Sequence, residues 1–261
     1  MGQQLPQPSP LGKVEQIVGL TTVKIEYSRP SAKGRVVFGD LVPYGQLWRT
    51  GANGCTKIKF DGPVMINEYN VPAGTYSLLS VPSDGPWTVY LNRDTTLWGT
   101  DGYDATKNVA EIKAQNNVHE CTTETFTIDI EGVKDDVATV QLRWERSTVS
   151  FDIKADATEK AMANIKEAMA AKEIKAGTYH RCARFYLDRG VNNVQALDWA
   201  KKADQMEERY WMKHTLALCY AANGMKKEAI AAAEASMKLA EAEKDEQYMK
   251  LNQAKIAEWS K

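Results

Sequence analysis

Apolar and polar side chains alternate with period two over several short runs between residues 20 and 154. Val23, Ile25 and Tyr27 alternate with Thr22, Lys24 and Glu26, and Phe126, Ile128 and Ile130 alternate with Thr125, Thr127 and Asp129. Ala138, Val140, Leu142 and Trp144 alternate with Thr139, Gln141, Arg143 and Glu145, and Val149, Phe151 and Ile153 with Thr148, Ser150 and Asp152. Successive side chains of a strand point to opposite faces, so these runs predict antiparallel strands with one dry and one wet face. Turn signals separate other parts of the region: Asp61-Gly62-Pro63, Pro72-Ala73-Gly74 and Pro82-Ser83-Asp84-Gly85-Pro86. Short strands at such spacing predict an antiparallel β-sandwich of jelly-roll-like organisation. Residues 29–53 are less regular and rich in Gly and Arg, and they read as a structured loop with one short strand.

The pattern changes near Ala155. From there to the end no proline occurs, and Ala, Lys, Glu and Met dominate, a helix-forming composition. Asp156 or Thr158 is placed to cap the first helix. The segment repeats itself with a period of 34: Cys182-Ala183, Tyr186 and Gly190 correspond to Leu216-Ala217, Tyr220 and Gly224. Ala196-Leu197 and Ala229-Ile230 follow the two glycines, offset by one residue, so the turn at residues 191–193 carries an insertion. Small residues where two helices cross, at this period, are the tetratricopeptide signature. Each glycine is expected to end its helix in a left-handed cap. Two repeats are few for such an array, so helices near residues 156–172 and 246–260 are expected to cap it, with Tyr210-Trp211 and Trp259 available for docking on the β region. The predicted organisation is therefore multidomain, β then α: an extended segment at 1–19, a β-sandwich at 20–154, and a helical tetratricopeptide-like domain at 155–261.

Charge and cysteine content narrow the classes. Lys plus Arg number 33 against 34 Asp plus Glu in 261 residues, so no net field draws the chain to nucleic acid or anionic lipid. No apolar stretch approaches the roughly 20 residues of a membrane span. The start, MGQQLPQPSP, is polar and Pro-rich. It reads either as the start of a mature exported chain with Met1-Gly2 added ahead of it, or as the lead-in of a cytosolic protein. Cys55, Cys121, Cys182 and Cys219 form no CxxC pair. Two fall in each half, which permits one disulfide per domain in an oxidising compartment, and the plainer reading is four buried free thiols.

The densest polar cluster is Trp48-Arg49-Thr50-Gly51-Ala52-Asn53. The planar fork of Arg49 suits a carboxylate, phosphate or sulfate, Gly51 allows close backbone approach, and Asn53 both donates and accepts. Arg29 and Arg35 stand upstream and could converge on the same anion. Against this, Arg49 could simply pin a loop to backbone carbonyls. Trp48, Trp98, Tyr44 and Tyr103 fall in loop-like stretches, where aromatic faces stack on sugars, although aromatics of β-sandwiches are more often core. The ligand-binding candidates are thus Arg29, Arg35, Trp48, Arg49, Asn53 and Trp98. His119-Glu120-Cys121 has no second His nearby in sequence and lacks the ligand count of a metal site. No metal and no cofactor are expected, and no nucleophile-elbow, zinc-hydrolase, P-loop or dinucleotide motif is present.

Tyr27-Ser28-Arg29-Pro30-Ser31, Lys33-Gly34-Arg35, Phe38-Gly39, Leu41-Val42-Pro43-Tyr44-Gly45 and the Trp48–Asn53 motif form an ordered set. Pro72-Ala73-Gly74-Thr75-Tyr76-Ser77-Leu78, Trp87, Leu91-Asn92 and Trp98-Gly99 continue it. In these motifs residues 8–154 resemble domain-of-unknown-function family 2911, mostly exported proteins of Gram-negative bacteria. Where the family commonly has a Glu after the Asn of the Trp48–Asn53 motif, this chain has Gly54. The resemblance implies a periplasmic or outer-membrane-associated β-sandwich and no activity. Two function classes follow. One is an exported binding or scaffold protein. Its β domain would hold a ligand such as a glycan, or an envelope partner, and its helical tail would engage a protein or peptide through Tyr179, Arg181, Lys213 and His214. The other is a hydrolase acting on an anionic or glycan substrate around Arg49 and Asn53, which needs a carboxylate or His beside Arg49.

Overall fold

The computed structural model describes residues 5–261; of the segment 1–19 read as extended, residues 1–4 lie outside the described residues and Leu11–Val18 forms a strand, paired with residues 21–28. The chain divides into two compact units, Met1–Ala161 and Met162–Lys261.

The first unit is antiparallel β. Its strands are β1 (Leu11–Val18), β2 (Thr21–Ser28), β3 (Thr56–Phe60), β4 (Val64–Ile66), β5 (Tyr69–Val71), β6 (Gly74–Val81), β7 (Trp87–Asn92), β8 (Asn108–Lys134) and β9 (Val137–Lys154). The ladder runs β1-β2-β3-β6-β7-β8-β9-β4-β5, so only the β4–β5 hairpin leaves chain order, crossing to lie beside β9 through Met65 and Lys154. The long strand β8 makes this possible. Its first part pairs with β7, from Asn108 opposite Asn92 to Ala114 opposite Trp87. From Gln115 it pairs with β9 instead. Two sheets thereby share one strand and enclose one core, with Ile25, Ile58, Leu78, Val89 and Ile112 from one and Phe126, Ile128, Leu142 and Trp144 from the other.

Leaving β7 exposes one edge of β8, and unpaired backbone groups at an edge must find partners. The end of β2 and the segment after it supply them. The Tyr27 hydroxyl donates to Ile128 O at 3.1 Å and accepts from Ile128 N at 2.8 Å. Phe126 N donates to Pro30 O and Ala32 N to Glu124 O, with Ser31 bridging Thr125. The motif Tyr27–Ser31 is thus the seal of an open sheet edge.

Residues 29–53 contain no regular strand. The expected short one is replaced by turns and single bridges, Phe38 with Val42 inside the segment and Trp48 with Ser80 on a neighbouring element, because its backbone bonds are divided between its own turns and other elements. The runs ending at Trp144 and starting at Val149 belong to one strand, β9. Both residues are buried although their separation is odd. The shift of face is made at Glu145, a non-glycine residue at φ 53°, where the β8–β9 register slips between Val118 and Thr123.

Helix α1 (Thr158–Met169) follows, with Thr158 N donating to Asp156 Oδ1 at 2.8 Å. The second unit continues with α2 (Ala176–Arg189), α3 (Asn193–Met206), α4 (Tyr210–Ala222), α5 (Lys226–Ala242) and α6 (Glu246–Trp259). Gly190 takes the left-handed cap of α2 at φ 61°. Ala183, Ala196, Ala200, Ala217, Ala229 and Ala233 are fully buried, and such small side chains allow close helix approach. A buried polar chain ties three helices: His214 Nδ1 lies 2.7 Å from Asn252 Oδ1, Asn252 Nδ2 donates to Ser236 Oγ, and Ser236 Oγ donates to Tyr210 O. Among the described residues no helix is long and apolar enough to cross a membrane. All four cysteines are free thiols; Cys55, Cys182 and Cys219 are buried as expected, but Cys121 is exposed because its part of β8 is the slipped one.

Candidate functional site

The Trp48–Asn53 loop is built around its own backbone. Trp48 exchanges backbone hydrogen bonds with Ser80 on β6. Its ring is buried, near-parallel to Trp144 at 6.0 Å and edge-on to Phe126, Trp87 and Phe38, and its Nε1 donates to Gly51 O. Thr50 is fully buried at φ 54°, a left-handed conformation unusual for threonine, and its hydroxyl lies 2.9 Å from Ser80 Oγ. Gly51 has φ 150°, and a Cβ there would stand 3.0 Å from Ser28 O and 3.1 Å from Thr56 Oγ1. Asn53 Nδ2 donates to Ser28 Oγ and Ser9 O, strapping the loop to β2 and the segment before β1.

This frame presents Arg49 half-buried at the surface. Its Nη1 donates to Asn53 O at 2.9 Å, and among the described residues no carboxylate pairs with it. The remaining donors of the fork are uncommitted. Beside it runs the segment between β7 and β8. Cys55 N donates to Leu97 O, and Gly54 bridges Trp98, so this segment lies against residues 54 and 55. Gly99, at φ 78°, lies against the guanidinium: a Cβ there would stand in ordinary contact, 3.4 Å from Arg49 Nη1. The Trp98 ring extends past Gly54, its edge 3.8 Å from where a Cβ would stand, and it is 70% exposed.

The segment that carries Trp98 is stiffened at both ends. Asp94 accepts from Thr96 N, Thr96 Oγ1 and Lys107 Nζ, and these bonds hold its carboxyl well below the usual carboxylate range. Asp104 accepts from Thr106 and caps the 3₁₀ turn Ala105–Lys107, which lowers its pKa also. Beneath Arg49, burial pushes the Cys55 thiol up to about 11, so it is a packing group and not a nucleophile at neutral pH.

The structure brings together Arg49, Asn53 and Trp98 and separates them from the other three candidates. Arg29 Nε donates to Phe126 O and its Nη2 to Thr127 Oγ1, so its fork is spent on the β8 edge. Arg35 donates to Ala32 O and Ser31 O, closing its own turn. Trp48 is core. In the helical unit, His214 is buried on Asn252 and Lys213 is paired with Asp204 and Glu208, so neither side chain is free to meet a peptide; Arg181 is exposed. His119 and Cys121 are exposed on β8, where Arg146 Nε donates to His119 O, and no cluster of three or more metal-ligating side chains occurs among the described residues. Sequence reasoning missed Gly54 and Gly99 as parts of the site. Gly99 adjoins Trp98 in one of those motifs, but only folding shows that it lies against Arg49.

A family model described as protein of unknown function (DUF2911) matches residues 9–153. No curated protein and no solved structure shows significant similarity to the chain.

Proposed function

The chain belongs to domain-of-unknown-function family 2911, and from that premise we propose that it is an exported binding protein, working in the periplasm or at the outer membrane. Its β unit holds an anionic, ring-bearing ligand such as an acidic glycan, and its helical unit engages a protein or peptide. The observation that carries the reading is the pairing of an uncommitted arginine fork with a highly exposed indole on stiffened backbone. A planar fork grips a carboxylate or sulfate in two places, and an indole face stacks on the apolar face of a sugar ring. The helical unit supports the second half: α2 and α4 begin 34 residues apart and pack through small residues, which is how tetratricopeptide arrays build a groove. A hydrolase would need a carboxylate or imidazole beside Arg49, and its partner there is a backbone carbonyl.

Titration of the full chain with glucuronate and with inorganic sulfate, followed by tryptophan fluorescence, tests the site. Glucuronate is expected to give a saturable change that is lost in Trp98→Ala and weakened roughly tenfold in Arg49→Lys, which keeps the charge but loses the fork. Gly54→Glu, which sets a carboxylate beside that fork, is expected to weaken it likewise. Melting temperatures should stay unchanged in all three. An equal response in wild type and Arg49→Lys, or no response at all, would overturn the proposal.

A further inference from the structure

The outer face of the larger sheet carries a concavity of about 540 Å³. Its floor is a cross-strand pair, Tyr90 on β7 directly opposite Glu111 on β8. One wall is the residue 45–47 turn with Val81, and the other is Tyr103 with Asn108. The two tyrosine rings lie 6.3 Å apart at 53°, neither stacked nor closed against each other. Behind them Leu79, Leu97 and Cys55 form a small dry cluster that fixes the back of both rings.

The polar groups of this hollow are only half used. Asn108 Nδ2 donates to the Tyr103 hydroxyl at 2.6 Å, which leaves that hydroxyl free to donate. Asn108 is itself held by Asn92 Nδ2, so Tyr103 is positioned by a fixed amide. The Tyr90 hydroxyl has no protein partner among the described residues. Burial, followed by the neighbouring Glu111 carboxylate, raises the Tyr90 pKa, so the phenol keeps its proton at neutral pH. Glu111 is half exposed, and its one ion pair, to Lys113, is long at 3.5 Å. Lys113 is held more closely by Thr88 Oγ1 at 2.8 Å.

We propose that this hollow is a second binding site, for a neutral polyhydroxylated ring of the saccharide class. An aromatic floor and one aromatic wall, with a carboxylate acceptor and two hydroxyl donors, match a ring that has C–H faces and a rim of hydroxyls. The volume is that of a small-molecule pocket. The carboxylate on the floor sets the charge preference: an anionic ring meets Glu111 unfavourably, whereas hydroxyls donate to it. The preference is opposite to that of Arg49, and it needs no residue of that site.

The test is saturation-transfer NMR on the full chain with maltose, cellobiose and N,N′-diacetylchitobiose, beside glucuronate. At least one neutral disaccharide is expected to bind, with a dissociation constant on the order of 1 mM. Tyr90→Phe keeps the ring, removes one hydroxyl and should weaken binding several-fold. Glu111→Gln keeps the shape and should weaken it roughly tenfold. Arg49→Lys should leave neutral binding unchanged, which separates this site from the anionic one. No transfer to any disaccharide, binding retained in the Tyr90→Phe, Glu111→Gln double variant, or loss in Arg49→Lys would each overturn the proposal.

Discussion

Arg29, Arg35 and Arg49 offer the same five-donor fork, and what surrounds each decides its use. Arg29 meets a strand edge that lacks a neighbour and spends its donors there. Arg35 closes a turn on Ala32 and Ser31. Arg49 has one bond, to Asn53 O, and an open side toward Trp98 and Gly99. Stability should therefore separate them. Arg29→Ala takes a donor from the Phe126 carbonyl and another from the Thr127 hydroxyl, both partly buried, and is expected to cost about 1–3 kcal/mol. Arg49→Ala removes a single bond near solvent and is expected to cost less than about 1 kcal/mol. Urea denaturation of the two variants reads the difference, and equal losses would contradict it. The motif around Arg49 was legible in the sequence as a polar cluster. Its division of labour was not, since Trp48 and Arg49 adjoin in the chain yet face the core and the surface.

At the scale of elements, period two identified the dry faces of β2, β8 and β9, because alternation follows directly from strand geometry. It could not show that the runs on either side of Glu145 are one strand. A bulge breaks the parity by which a strand is recognised, and the bulge itself rests on a partner strand 20 or more residues away in sequence. The helices were legible from composition and from the repeated Gly, but the polar chain His214–Asn252–Ser236 was not, because its members come from α4, α6 and α5. That chain carries a pH dependence. Burial, with Arg184 and Lys255 acting in the same direction, lowers the His214 pKa despite its bond to Asn252. Burial likewise lowers that of His180, which lies 3.0 Å from Thr215 Oγ1. The unfolded chain therefore protonates first, near the ordinary value of about 6.5. Stability is whole above that value and is lost as pH falls below it. The denaturation midpoint of the helical signal in the full chain is expected to drop from pH 7 to pH 5, and His214→Gln to reduce the drop. A midpoint constant across that window would refute the assignment.

For the whole molecule, the division into an antiparallel β part and a helical part is the level at which sequence and structure agree most fully. The export expected from family membership belongs to this scale too. Cell fractionation is expected to recover the protein with the periplasm or outer membrane, and recovery in the cytosol would end that part of the proposal. By itself the sequence determined that a β part precedes a helical part, the dry faces of several strands, many of the turns, and the resemblance to the family. These follow from periodicity, proline and glycine placement and ordered motifs, all local properties of the chain. It did not find β1 in the segment read as extended, nor that residues 29–53 hold no strand. Only the tertiary structure decided what the motifs are for. β8 serves two sheets, so one edge needs a seal, and Tyr27–Ser31 becomes that seal. Tyr90 meets Glu111 only through pairing of β7 with β8, and Trp98 and Gly99 come to lie against Gly54 and Arg49 only through the fold of the segment between β7 and β8. A site depends on which surfaces meet, and contacts between segments distant in the chain leave no period in the sequence.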